Sequence, residues 1–377
     1  MFLGIKITRL NSGQTAGRRG GLVLVMLGGL LAVPEAAGLQ RTTNSSAPLQ
    51  VIEDSLMRRV EVPSRTRRIL SLQPEMTRIL IALGAGERLV GSEYYVRRHD
   101  PLIRIAFPGE ARLPLVSAGP FSVNAEMILR LDPDIIFMPP EDLSLSDSVQ
   151  EKTGKPAAAF SSMGRFEKLI GEIELAGTLT GSEERAAELV FFFKQTLGRV
   201  SDGMDGADGW SRPRVYLSMW GAVNRTPVFY EPLIAAGGLN VSDELRVSLQ
   251  GSVQAVINIE KLLEWNPDII LLHGNFPRRE RSVTVEDVLS DPRLRSLDAV
   301  RERRVHYTFG FSNWWDPAGV LVEVLYLARL FRPERFSGMD LEAEGNAIFK
   351  KFYGLENGFT VLSGILGCHE WAERTKR

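Results

Sequence analysis

VNAEMILRLDPDIIF, residues 123–137, and INIEKLLEWNPDIIL, residues 257–271, align without a gap and agree at seven of fifteen positions. Both parse alike. An asparagine (Asn124, Asn258) stands where a helix needs an N-cap, a glutamate (Glu126, Glu260) falls in the first turn, and a short amphipathic helix follows. Asp132-Pro133 or Asn266-Pro267 then stops the helix, and an apolar strand begins. A helix feeding a wholly apolar strand is the αβ unit of a parallel sheet covered on both faces. Two such units 134 residues apart predict two similar α/β lobes.

Working outward from the repeat, each lobe opens in the same way. A strand over Arg68–Leu72 leads through Gln73-Pro74 into a helix ending at Leu83-Gly84-Ala85-Gly86. Its counterpart is a strand over Arg214–Met219, a longer loop, and a helix ending at Ala236-Gly237-Gly238. Between the lobes a helical tract covers Phe166–Val200, interrupted near Gly177–Ser182, where Thr180 or Ser182 is placed to cap a second helix. It is expected to act as one long helical crossing, followed by a surface loop over Asp202–Gly209. Before the first lobe, VIEDSLMRRVEVP (51–63) reads as a hairpin turning near Asp54–Met57.

The expected division is a signal peptide at 1–38, an N-terminal extension with the hairpin at 39–66, and an N-terminal lobe at 67–165. An inter-lobe helical linker at 166–200, a C-terminal lobe at 201–337 and a helical tail at 338–377 complete it. The first segment reads as an export signal: Lys6, Arg9, Arg18 and Arg19 precede an apolar run, Gly21–Val33, followed by the small residues Ala36, Ala37 and Gly38. That run has 13 residues, whereas a membrane-spanning helix needs about 20. Cleavage and release into the periplasm are therefore expected, and no cysteine follows the run to take a lipid.

Composition narrows the function. With 377 residues, 44% apolar, the chain fills two ordinary cores. Its formal net charge of −1 provides no basic field for nucleic acid. The single cysteine, Cys368, excludes a disulfide framework and a thiolate metal cluster within the chain. No G-x-S-x-G pentad, P-loop or H-E-x-x-H pair occurs, and Gly84-Ala85-Gly86 closes a helix where a dinucleotide loop must open one. The four histidines, His99, His273, His306 and His369, have no local metal-ligand spacing. No catalytic residue or resident metal is assigned, and binding is favoured over catalysis.

Longer stretches carry a resemblance. They are RRILSLQPEMTRILIALGAGERLVG (67–91), NAEMILRLDPDIIF (124–137), FYEPLIAAGGLNV (229–241) and NIEKLLEWNPDIILLHG (258–274). VLSDPRLRSLDAVRERRVHYT (288–308) and WWDPAGVLVEVLYLARLFRPERF (314–336) follow in order. Over residues 51–337 the chain resembles the periplasmic solute-binding proteins of iron-siderophore, vitamin B12 and haem ABC importers, the helical-backbone class. The resemblance implies an α/β fold of two Rossmann-like lobes with mostly parallel sheets, joined by a long α-helix, with the ligand in the cleft between them and little hinge closure. It implies a monomer that has no covalent cofactor and no enzymatic activity. Such a protein delivers a metal chelate (ferric siderophore, corrinoid or haem) to an ABC permease and its ATPase at the inner membrane. Molybdate or tungstate is the alternative ligand class, and a periplasmic α/β enzyme or a sensor is the alternative of another kind.

Open α/β sheets bind ligands beyond the carboxyl ends of their strands. In the first lobe those loops carry Gln73, Met76, Tyr94, Tyr95, Arg97, Phe121 and Ser161; in the second, Trp220, Arg225, His273, Asn313, Trp314 and Trp315. Aromatic faces and Arg or Tyr edges suit a flat anionic chelate. Each has a plainer alternative: Trp314 and Trp315 as core, Arg97 as solvated charge, His273 as a buried imidazole. If Tyr94 and Tyr95 lie on an extended segment, only one of them faces the cleft. The resemblance further implies a glutamate on the first helix of each lobe that pairs with permease arginines. Arg78 occupies the lobe-one position, Glu75 stands on a neighbouring part of the same helix face, and Glu231 is the lobe-two candidate.

Overall fold

The computed structural model describes residues 8–9 and 48–367, except 118, 120–121, 141–142, 163, 206–208, 220–221, 248–253, 275–282 and 310–314. The expected signal segment is thus outside the described residues, save that Thr8–Arg9 pairs with the first hairpin strand. That hairpin consists of β1 (Leu49–Glu53) and β2 (Arg59–Pro63).

The first lobe contains β3 (Ile69–Ser71), α1 (Pro74–Ala82), β4 (Leu89–Gly91), α2 (Tyr94–His99) and α3 (Pro101–Ala106). It continues with α4 (Ala125–Leu131), β5 (Ile135–Met138), α5 (Leu143–Thr153) and β6 (Ala157–Ala159). Its sheet is parallel in the order β4-β3-β5-β6. The second lobe contains β7 (Arg214–Ser218), β8 (Arg225–Pro227), α8 (Glu231–Ala235), β9 (Leu239–Asn240), β10 (Gln254–Val256) and α9 (Ile259–Trp265). After these come β11 (Ile269–Leu272), α10 (Val285–Ser290), α11 (Asp298–Arg301), β12 (Val305–Tyr307), α12 (Pro317–Phe331) and α13 (Pro333–Phe336). The order β9-β7-β11-β12 is again parallel, and β8 with β10 forms a separate antiparallel ribbon. The two lobes therefore have two separate sheets of matching design.

The repeat folds the same way twice. Asn124 accepts from Met127 N at 3.0 Å and Asn258 from Lys261 N at 2.9 Å, capping α4 and α9. Each helix ends on a left-handed residue, Asp132 (φ 45°) or Asn266 (φ 40°), immediately before its proline. The aspartate after each proline then fixes the neighbouring central strand: Asp134 Oδ2 accepts from Arg67 N and Arg68 N, and Asp268 Oδ2 from Arg214 N.

Alternation along the strands divides the core. Ile69, Ile135, Phe137 and Ala158 share one apolar cluster with Val215, Leu217, Ile269 and Leu271 of the other sheet. Helices α1 and α12 run through that cluster, as do α6 (Phe166–Thr180) and α7 (Glu183–Met204). The opposite faces have their own clusters, around Ile136 with Ile128 and around Ile270 with Leu262. Splaying the lobes far enough to expose three such side chains costs roughly 5–9 kcal/mol, so the shared core opposes hinge opening.

The crossing itself differs from a single rod. Gly181 (φ 68°) breaks the tract, and α6 folds against the 22-residue α7. Ser182 takes the N-cap position of α7 without a side-chain capping bond, and Thr180 Oγ1 donates to Ala176 O. Helix α7 also runs to Met204, through the start of the expected Asp202–Gly209 loop. The tail supplies α14 (Leu341–Tyr353), which packs on α12, and α15 (Gly358–Leu366), which packs on α14 and α3.

Candidate functional site: the rim between the two sheets

The loops at the carboxyl ends of β3 and β6 meet on the lobe-one rim. The hairpin positions one of its loops: Ser55 N donates to Ala159 O at 2.8 Å, Asp54 Oδ2 accepts from Ala159 N at 3.1 Å, and Ser161 N reaches Ser55 Oγ. Ser161 and Ser162 follow directly, and both are buried. Gln73 caps α1, its Oε1 accepting from Met76 N at 3.1 Å. The bond from Ser162 N to Glu75 Oε1, 2.8 Å, joins this loop to the first turn of α1.

Three donors remain unmet here. Gln73 Nε2, Ser161 Oγ and Ser162 Oγ are all buried without a hydrogen-bond partner. Buried polar groups without partners are uncommon in native proteins and call for an explanation, and these three cluster on the rim where such sheets take their ligands.

Glu75 is not a surface group, which corrects the docking expectation. It is 0% exposed, and its Oε2 accepts from Trp315 N at 2.9 Å while Oε1 accepts from Ser162 N. Arg78 is likewise buried: it pairs with Asp100 at 2.7 Å and donates to Trp315 O at 3.2 Å. Neither presents a charge to a partner protein. Glu231 is half-buried, with one oxygen accepting from Phe166 N at the start of α6. Burial pushes its carboxyl upward, against that bond.

Other expected residues are also relocated. Met76 is 0% exposed inside the shared core, and Trp315 packs between Phe166 and Tyr230 at ring distances of 5.6 and 6.2 Å. Both are packing residues because α1 and α12 bury this face. His273 follows β11 and is buried, the plainer of its two alternatives. Beside it Gly274 is required, since a Cβ there would lie 2.4 Å from Thr308 O.

Tyr94 and Tyr95 open α2 and do not lie on an extended segment, because the Glu93 carboxylate accepts from Tyr95 N and Val96 N. Both rings are part-exposed and tilt against His99 at 5.6 and 5.7 Å, with Arg98 6.0 Å over Tyr94. Burial raises the Glu93 carboxyl to about 7, against those two backbone bonds. Arg97 is held at 2.9 Å by Glu110 and also donates to Leu113 O, so its charge is compensated internally. Arg225 is exposed on β8. Phe121, Trp220, Asn313 and Trp314 lie outside the described residues.

Two residues were missed. Ser162 stands next to Ser161 on the same loop, and nothing local separates the two hydroxyls. Glu172 lies in the apolar stripe Leu169, Ile173, Ala176 of α6, a helical spacing that marks it as buried. Its carboxyl is pushed well above the usual range by burial and then by the charge of Glu75. Among the described residues, no group of three or more His, Cys, Asp or Glu is placed to hold a metal ion, and no helix is long and apolar enough to cross a membrane.

Comparison with known proteins agrees with this architecture. A family model described as periplasmic binding protein matches residues 69–309. A molybdate-binding protein, MolA, of Haemophilus influenzae is 25% identical over 340 residues, spanning 81% of this chain and 91% of the relative. A cobalamin-binding protein of Halobacterium salinarum is 21% identical over 215 residues, 56% of this chain and 55% of the relative. The solved structure of MolA bound to molybdate superposes with a TM-score of 0.68 at 21% identity, covering 81% of this chain and 98% of that one. The chain belongs to the periplasmic binding protein family, and it is a solute-binding protein of the ABC-transporter type, not an enzyme.

Proposed function

We propose that this periplasmic binding protein captures a small oxyanion of the molybdate type in the inter-lobe cleft and hands it to an ABC permease at the inner membrane. The carrying observation is the trio of buried, unpartnered donors at the lobe-one rim, Gln73 Nε2, Ser161 Oγ and Ser162 Oγ. Oxyanion oxygens accept hydrogen bonds and need donors that are already desolvated and fixed. Neutral donors beside a helix N-terminus supply them without a competing counter-ion. The nine-residue α1 begins at this rim, with the Glu75 carboxylate already set in its first turn. Two lobe-one arginines are engaged internally, Arg97 on Glu110 and Arg78 on Asp100. A molybdate-binding relative matched along most of both chains supports the same ligand class.

Capture of a ferric siderophore or corrinoid is the second possibility, and the part-exposed Tyr94–Tyr95 pair with Arg98 favours it. Titration calorimetry separates the two. Molybdate and tungstate are expected to give saturable heat, and Gln73→Leu to weaken binding about 10-fold, the loss of one buried donor. Silence with both oxyanions, together with heat from a ferric chelate or cobalamin, selects the second.

A further inference from the structure

We propose that Glu75 is a positioning residue whose buried carboxylate, backed by the Glu172 carboxyl, locks the cleft loops of the two lobes to one another. One oxygen takes the N–H of Ser162, on the loop after β6 of the first sheet; the other takes the N–H of Trp315, on the loop after β12 of the second. A single side chain thus bonds the backbone of both rims. Arg78, three residues further along α1, donates to the carbonyl of the same Trp315, so both polar groups of that residue's main chain are held by one helix. Trp315 closes the loop that leads into α12, and Asp316 caps that helix through Ala318 N and Gly319 N.

Glu172 stands behind Glu75 on α6, 3% exposed, with Oε2 unpartnered. Burial first, then the charge of Glu75 and a hydrogen bond to it, push the Glu172 carboxyl well above the usual range, toward its protonated form. Lys168 on α6 is the other charge that acts on it. Glu172 therefore serves Glu75 as a neutral donor. The first turn of α6 is itself bonded to lobe two through Glu231 and Phe166 N, so the pair sits where α1, the crossing and both rims meet. The link to ligand affinity rests on the proposed function; the lock itself does not.

Amide hydrogen exchange read at Ser162 and Trp315 in the full chain, without ligand, tests the lock. Glutamine at 75 has one acceptor oxygen and turns an amide donor toward the other N–H. Glu75→Gln is expected to raise exchange at least 10-fold at both residues together, although they belong to different lobes. Glu172→Ala is expected to raise both, and Glu172→Gln, which restores a donor, to return both to the wild-type rate. This second pair decides the matter if Glu75→Gln does not fold. Loosening confined to Ser162, unchanged exchange at both, or failure of Glu172→Gln to rescue overturns the proposal. Absence of molybdate binding by the wild-type protein leaves these exchange results standing and counts only against the proposed ligand.

Discussion

Arg78 and Asp100 form a buried ion pair at 2.7 Å, their side chains 3% and 1% exposed. Around it, Asp316 accepts from the Tyr353 hydroxyl and Trp315 O accepts from Arg78. Four stretches distant in sequence, α1, the α2–α3 junction, the start of α12 and α14, are joined by this cluster. A residue in the position of a docking glutamate has become part of the interior framework.

Removing one partner of such a pair leaves the other buried and uncompensated, at a cost of about 3–5 kcal/mol. Arg78→Met is expected to lower the unfolding free energy by that amount, measured by denaturant titration. Arg78→Met with Asp100→Leu is expected to recover part of the loss, because no lone charge remains. A double variant no better than the single one contradicts the assignment.

Stability should fall as pH rises from the ordinary carboxyl range of 4.5 to about 7. Burial holds the Glu93 carboxyl near 7, against an ordinary value of 4.5. Between those values the native state holds a proton that the unfolded chain has released, so unfolding free energy declines with pH by up to about 1.4 kcal/mol per unit and levels off above 7. Glu172, also raised, acts with the same sign. Glu93→Gln is expected to flatten the profile between pH 4.5 and about 7. Parallel profiles for variant and wild type refute the linkage.

The two aspartates of the repeat are expected to contribute independently, Asp134 through two backbone N–H groups and Asp268 through one. Asp134→Ala and Asp268→Ala each remove the acceptor for the first N–H groups of a central strand. Each is expected to cost about 1–2 kcal/mol. The sites lie in separate sheets with no shared partner, so the double variant should show the sum within about 0.5 kcal/mol. A clearly larger loss means that the lobes are energetically coupled at these positions.

Much of the fold was legible because its signals are local. Within each copy of the repeat the cap (Asn124 or Asn258), the proline after Asp132 or Asn266, and the apolar strand fall inside fifteen residues. The hairpin turn at Asp54–Met57 was equally local, with Asp54 bonding Leu56 N and Arg58 N. Site assignments failed where burial comes from afar. Nothing near Glu75 or Arg78 in the sequence indicates that Trp315 and Asp100 cover them. Trp315 looked like a ligand platform for the same reason, since Phe166 and Tyr230 enclose it from distant elements. Tyr94 and Tyr95 became helical because a glutamate, seldom a capping residue, bonds the first turn.

Native mass spectrometry of the protein loaded with molybdate and freed of excess tests the central claim most directly. The donors at the lobe-one rim predict one oxyanion per chain in the wild type, lost when Gln73→Leu, Ser161→Ala and Ser162→Ala are combined in a chain that still folds. Loading that persists in the triple variant, or a wild type that ignores molybdate and tungstate yet retains a ferric chelate or corrinoid, contradicts it.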